Sequence, residues 1–140
     1  MQTFLPNPSF AQSARELDYR RLGKQRVECK QIVGALTGEK QGWRNHPAVR
    51  MWRGCEIALV QYAIAICTEW RARGYRDEQL PWFEARLAEF RAAGLSEATP
   101  QWITDDFCRS HQSNLLRKFP DHYGKFYRDV PDNLEYLWPV

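Results

Sequence analysis

Three short segments of this 140-residue chain concentrate side chains able to do chemistry. The first is Asp18-Tyr19-Arg20-Arg21-Leu22-Gly23-Lys24-Gln25-Arg26-Val27-Glu28. Arg20, Arg21, Lys24 and Arg26, set around a glycine and a helix start, offer guanidinium forks, an ammonium and free backbone N–H groups in one place, a combination that holds phosphates. Asp18 and Glu28 flank these cations and supply carboxylates able to stabilise a cation or move a proton. A solvated basic turn is the plainer alternative. The second segment, Gly42 to Arg53, carries Arg44, His46 and Arg50 at the start of a helix, a position that often holds functional groups; His46 can equally serve as the helix cap. The third runs from Ser110 to Lys118 and on through His122 to Tyr127, with His111, Asn114, Arg117, Lys118, Tyr123 and Lys125. Basic groups interleaved with aromatics can grip backbone phosphates while a ring stacks on, or wedges beside, a base. Tyr123, Phe126 and Tyr127 can equally pack the last turn onto the core.

The charge distribution points the same way. Net charge is only +3. From Lys40 to Arg53 there are four basic residues and no acidic one, and from Arg109 to Arg128 five basic and one acidic. Glu69 to Glu97, by contrast, holds five basic and six acidic residues. Such asymmetry suits a face that meets a polyanion, although Lys and Arg also simply solvate helix surfaces.

Several classes of site are absent. There is no Gly-rich phosphate loop and no Gly-x-Ser-x-Gly elbow. The cysteines, Cys29, Cys55, Cys67 and Cys108, form no C-x-x-C pair, and three histidines complete no zinc-binding spacing, so no metal site is expected. The cysteines are read as reduced, buried thiols of a reducing compartment. The chain lacks a basic-then-apolar leader and any run near the roughly 18 apolar residues of a membrane span, so no membrane association and a cytoplasmic location are expected.

The elements that must position these residues read as helices. The length fits one domain spanning residues 1–140 with a real hydrophobic core, and the six Trp are chiefly core fillers. Ser9 caps a short helix with Phe10, Ala14 and Leu17 at helical spacing, which the basic segment through Gly23 should break. A second helix is predicted from about Lys24 to Leu36, stopped by Gly38. Asn45 or His46 caps a third, with Pro47 in its first turn. Its apolar positions Val49, Trp52, Leu59, Val60, Ala63, Ile64, Cys67 and Trp70 predict one long central helix reaching Arg73. A fourth lies between Asp77 and Gly94, and a fifth runs from Thr104 or Asp105 to Phe119. No segment alternates with period two long enough to make a strand. The fold class is therefore all-α, a compact single-domain helical bundle around a long central helix.

The opening Met1-Gln2-Thr3-Phe4-Leu5-Pro6, RRLGKQRVE at Arg20 to Glu28, NHPAVRMWRG at Asn45 to Gly54 and SHQSNLLRK at Ser110 to Lys118 resemble a bacterial family grouped with the pyrimidine-dimer DNA glycosylases, which include the endonuclease V of T-even phages. The resemblance to the bacterial group covers almost the whole chain. Likeness to the phage enzyme rests on length, an all-helical order, Tyr19-Arg20 with Arg26-Val27, Arg73-Gly74-Tyr75 and Tyr123-Gly124-Lys125.

That resemblance implies a DNA repair glycosylase, with AP-lyase chemistry, acting on damaged or modified pyrimidines in duplex DNA as a monomer and without a metal or other cofactor. In that chemistry the chain's α-amine attacks the sugar C1′ and a carboxylate assists. An α-amine, with a pKa of about 7.7–8.0 in ordinary surroundings, keeps a sizeable neutral fraction near pH 7. The phage enzyme exposes a small residue after Met removal, whereas Gln2 favours retention of Met1. The candidate nucleophiles are thus Met1, or Lys24, or an activated water, and the candidate carboxylates are Glu28 and Asp18. Arg20, Arg21, Arg26, Arg44, His46, Arg50, His111, Asn114, Arg117, Lys118, Tyr123 and Lys125 are the expected DNA contacts. Two other readings stand beside this one: a nucleic-acid-binding domain on the same scaffold without catalysis, and a small-substrate hydrolase using His46, His111 and Glu28 as acid and base.

Overall fold

The computed structural model describes residues 1–140. It contains seven helices and no strand: α1 (Phe10–Glu16), α2 (Tyr19–Thr37), α3 (Pro47–Arg50), α4 (Glu56–Ala72), α5 (Leu80–Ala92), α6 (Asp105–Lys118) and α7 (Pro120–Tyr123). The all-α class inferred from periodicity is the observed one. No helix is long and apolar enough to cross a membrane. All four cysteines are free, with Cys29, Cys67 and Cys108 buried and Cys55 half-buried.

Local capping chemistry sets several boundaries. Ser9 accepts the Gln12 N–H at the start of α1, and Thr104 accepts the Phe107 N–H at the start of α6. His46 Nδ1 accepts the Ala48 N–H, with Pro47 following in the first turn of α3. Asp77 Oδ2 accepts the Leu80 N–H at the head of α5.

Two boundaries differ from the sequence expectation. The basic segment before Lys24 does not break the chain; it forms the first turn of α2, which runs from Tyr19 through Gly23 to Thr37 and is capped by Gly38. Gly23 is tolerated there because α4 approaches so closely that a Cβ at that position would lie 2.9 Å from the Trp70 ring. The long helix expected from Pro47 to Arg73 is two helices. Gly54 takes a left-handed conformation with φ 84°, which ends the α3 turn, and α4 restarts at Glu56. Glu56 Oε2 accepts the freed Gly54 N–H at 2.8 Å.

α4 is the spine. Ile57, Leu59, Val60, Tyr62, Ala63, Ile66 and Cys67 are buried along it, and α1, α2 and α5 pack against it. The amino-terminal segment also enters the core, outside any helix. Thr3, Phe4, Leu5 and Pro6 are buried, so their backbone polar groups need partners. Side chains from three helices provide them. Gln25 Oε1 accepts the Phe4 N–H at 3.0 Å, and Gln25 Nε2 donates to Gln2 O at 3.0 Å. Tyr62 donates to Phe4 O at 2.6 Å, His111 Nδ1 accepts the Leu5 N–H at 3.0 Å, and Gln112 Nε2 donates to Pro6 O at 2.7 Å. Each such bond contributes about 1 kcal/mol, and leaving a buried group unmade costs about 1–3 kcal/mol. The path of residues 2–6 is therefore fixed by their polar groups as well as by their burial.

Candidate active site

This anchored segment and α2 border a cleft of about 680 Å³. Asp18, Arg21, Gln25 and Glu28 recur at three- and four-residue intervals, so one face of α2 presents all four to the cleft. Gln2 and Phe4 form its floor, Tyr19, Arg20 and Lys24 rim it, and Lys118 with Phe119 closes it from the end of α6.

The two carboxylates have different surroundings. Glu28 is buried and accepts from Gln25 Nε2 at 2.8 Å and from the Gln2 backbone N–H at 3.4 Å, and Lys24 Nζ lies 3.8 Å from its other oxygen. It thus touches the amino-terminal segment directly. Asp18 is held on Oδ1 by the Tyr123 hydroxyl and by Arg21 at 3.1 Å, while its buried Oδ2 has no partner. Burial pushes the Asp18 carboxyl up, but the Tyr123 and Arg21 hydrogen bonds together outweigh it and hold the group below its ordinary value. Tyr123 in turn is raised by burial and by its bond to Asp18.

The structure therefore brings together Asp18, Arg20, Arg21, Lys24, Glu28 and Lys118. Met1 is half-buried against the core, one residue before the Gln2 contact with Glu28. His46 belongs to the same neighbourhood: burial lowers its pKa first, the charge of the amino terminus lowers it further, and Glu28 opposes both. Arg20, Arg44, Arg50 and Lys125 are exposed.

Other expected contacts lie elsewhere. His111 and Tyr123 are sealed in the interior, which corrects their reading as DNA contacts; their polar atoms serve Leu5 and Asp18. Burial lowers the His111 pKa to about 3, so an acid–base set of His46, His111 and Glu28 does not assemble on the surface. The Arg26 guanidinium is engaged by Asp77 at 2.6 Å and lies 4.6 Å from the Trp70 ring centroid. Arg117 donates to Asp132 O and Leu134 O and so ties down the carboxyl-terminal tail. Asn114 is half-buried, with an unpartnered Oδ1.

Gln2, Phe4, Tyr19, Gln25 and Phe119 line the cleft although sequence reasoning did not single them out. For Gln25 a signal existed, since it shares the helical face of Asp18, Arg21 and Glu28.

An all-helical scaffold with a cationic cleft, two buried carboxylates and an anchored amino terminus defines a class suited to a polyanionic substrate. The family model for pyrimidine dimer DNA glycosylase matches residues 1–81. That span covers more than half of the chain and every cleft residue except Lys118 and Phe119, and the chain belongs to this family. No curated protein and no solved structure matches it.

Proposed function

We propose that this protein is a DNA N-glycosylase that releases damaged or modified pyrimidines from duplex DNA and cleaves the resulting abasic site as a lyase. The observation that carries the reading is the cleft itself, in which Glu28 touches the amino-terminal segment and faces Lys24 while Arg20, Arg21 and Lys118 surround the opening. A nucleotide must leave the stack for its glycosidic carbon to be reached, and the cations would hold its phosphates.

In the proposed reaction the lone pair of a neutral amine forms a bond to C1′ as the bond from C1′ to the base nitrogen breaks. The electron pair leaves with the base, which takes up a proton. The attached amine gives up a proton, the sugar ring opens with O4′ protonated, and an imine results. Loss of a C2′ proton then expels the 3′ phosphate and cuts the strand. Met1 is the first candidate amine and Lys24 the second. Glu28 is favoured over Asp18 as the assisting carboxylate because Asp18 Oδ1 is already occupied by Tyr123 and Arg21, whereas Glu28 adjoins both amines' segments.

Borohydride reduction of the enzyme on lesion-containing duplex tests the covalent step. A trapped adduct mapped to Met1 supports this reading in full, and one mapped to Lys24 keeps the lyase and moves the nucleophile. Base release without an adduct would replace the amine by water. Neither release nor adduct on ultraviolet-irradiated and base-modified duplexes would overturn the reading.

A further inference from the structure

The loop between α2 and α3 contains Trp43, the one non-glycine residue with positive φ, at 69°. That conformation is unfavourable for a bulky side chain and persists where the surroundings fix it. Here it turns the indole outward: Trp43 is 60% exposed, more than any other aromatic residue, whereas Trp52 nine positions on is fully buried. The loop is held from both ends. His46 N–H donates to Trp43 O at 2.9 Å, Arg53 donates to Arg44 O at 3.1 Å, and the Trp43 ring meets His46 edge-on at 5.7 Å.

The segment that carries this ring is cationic. Lys40, Arg44, Arg50 and Arg53 are exposed and form no ion pair. His46, at the end of this loop, lies close enough to the amino terminus and to Glu28 for the charge of each to act on it. The other exposed aromatics are committed elsewhere. Tyr19 has Arg20 over its ring and stacks on Tyr75, Phe119 lines the cleft, and Phe126 has Lys125 over its ring and packs against His122 and Tyr127.

Extruding a nucleotide leaves a gap in the stack whose opening costs free energy, and an inserted flat side chain recovers part of it. We propose that Trp43 is that wedge: its pre-set indole enters the duplex where the lesion nucleotide has turned out into the cleft, with Arg44 and Arg50 on the flanking phosphates. The proposal rests on the glycosylase reading above.

Trp43→Gly removes the ring while suiting the left-handed backbone, and Trp43→Phe keeps an aromatic face. Both are compared with the unaltered protein on one lesion in duplex, the same lesion in single strand, and a duplex with a preformed abasic site. Trp43→Gly should slow base release from the lesion duplex by about fivefold or more, the low end of what stacking one base on a ring contributes. It should leave release from single strand and cutting at the abasic site unchanged, and Trp43→Phe should restore most of the loss. Equal duplex rates for the unaltered protein and Trp43→Gly would overturn the wedge alone, as would an equal loss on all three substrates. Inactivity of the unaltered protein on all three would overturn the glycosylase reading and the wedge with it.

Discussion

Inside the core, His111 Nδ1 accepts the backbone N–H of Leu5 at 3.0 Å, joining α6 to the amino-terminal segment. An accepting Nδ1 is unprotonated, so the proton of the neutral ring sits on Nε2, which is buried without a partner. Tyr136 of the carboxyl-terminal tail stacks on the same ring at 4.5 Å, and Trp138 packs against both Tyr136 and His46. Both chain ends are thus organised around one imidazole.

This arrangement predicts a pH dependence. His111 falls from an ordinary value of 6.5 to about 3 in the folded protein because burial opposes its charge. Below pH 6.5 the unfolded chain takes up a proton that the folded protein refuses, so stability is full above that pH and is lost as pH falls toward 3. The loss is up to about 1.4 kcal/mol per pH unit. Urea unfolding at pH 7 and at about pH 4.5 should show it, before the depressed carboxyls of Asp18 and Asp77 begin to titrate. His111→Gln should flatten the slope over that interval; an unchanged slope would assign the effect to other groups.

Glu28→Gln deletes a charge while keeping size and helix propensity. Loss of the assisting carboxylate should lower base release by about a hundredfold or more, with salt-sensitive DNA binding retained. Asp18→Asn instead disturbs the Tyr123 and Arg21 bonds and should cost about 1–3 kcal/mol of stability. If release survives Glu28→Gln and falls with Asp18→Asn at equal folded fraction, the catalytic carboxylate is Asp18.

The sequence made some of this legible and hid the rest for physical reasons. Ser9 was readable as a cap, and His46 and Thr104 each as one of two adjacent candidates, because capping is chemistry within one turn. The break at Gly54 was hidden because Met51 and Trp52, both buried, continue the apolar spacing of the next helix while facing other partners; Trp52 Nε1 donates to Thr3. The close packing that excludes a Cβ at Gly23 comes from Trp70, far away in sequence. The floor of the cleft was invisible because the partners of residues 2–6 come from α2, α4 and α6, and no local pattern encodes such an assembly. The cleft face of α2 becomes readable only once the helix is known to begin at Tyr19.

Gly23→Ala tests that long-range constraint. Alanine improves helix propensity by about 1 kcal/mol, but its Cβ would lie 2.9 Å from a Trp70 ring that is bonded to Arg76 O and stacked on Tyr75. Overpacking of this kind costs typically about 1–3 kcal/mol. A net destabilisation of about 1 kcal/mol is expected, lowering the melting temperature by roughly 2–4 °C. A rise in melting temperature would show that Trp70 yields without cost.

The cations should divide into two groups by salt dependence. Affinity for duplex DNA falls with salt in proportion to the number of phosphates neutralised. Arg20 and Lys118 are exposed at the cleft and make no ion pair, so replacing both with Ala should reduce the salt slope by about two, one for each lost contact. Arg26 and Arg117 are committed within the fold. Arg26→Ala would leave Asp77, whose side chain is fully buried, with the longer Arg71 pair at 3.4 Å and should destabilise the protein by about 1–3 kcal/mol. Arg117→Ala would release Asp132 O and Leu134 O and should speed proteolysis of the tail. Neither should change the salt slope of the folded protein. A slope lowered by Arg117→Ala and untouched by the Arg20 and Lys118 pair would move the DNA-binding face away from the cleft and toward the tail.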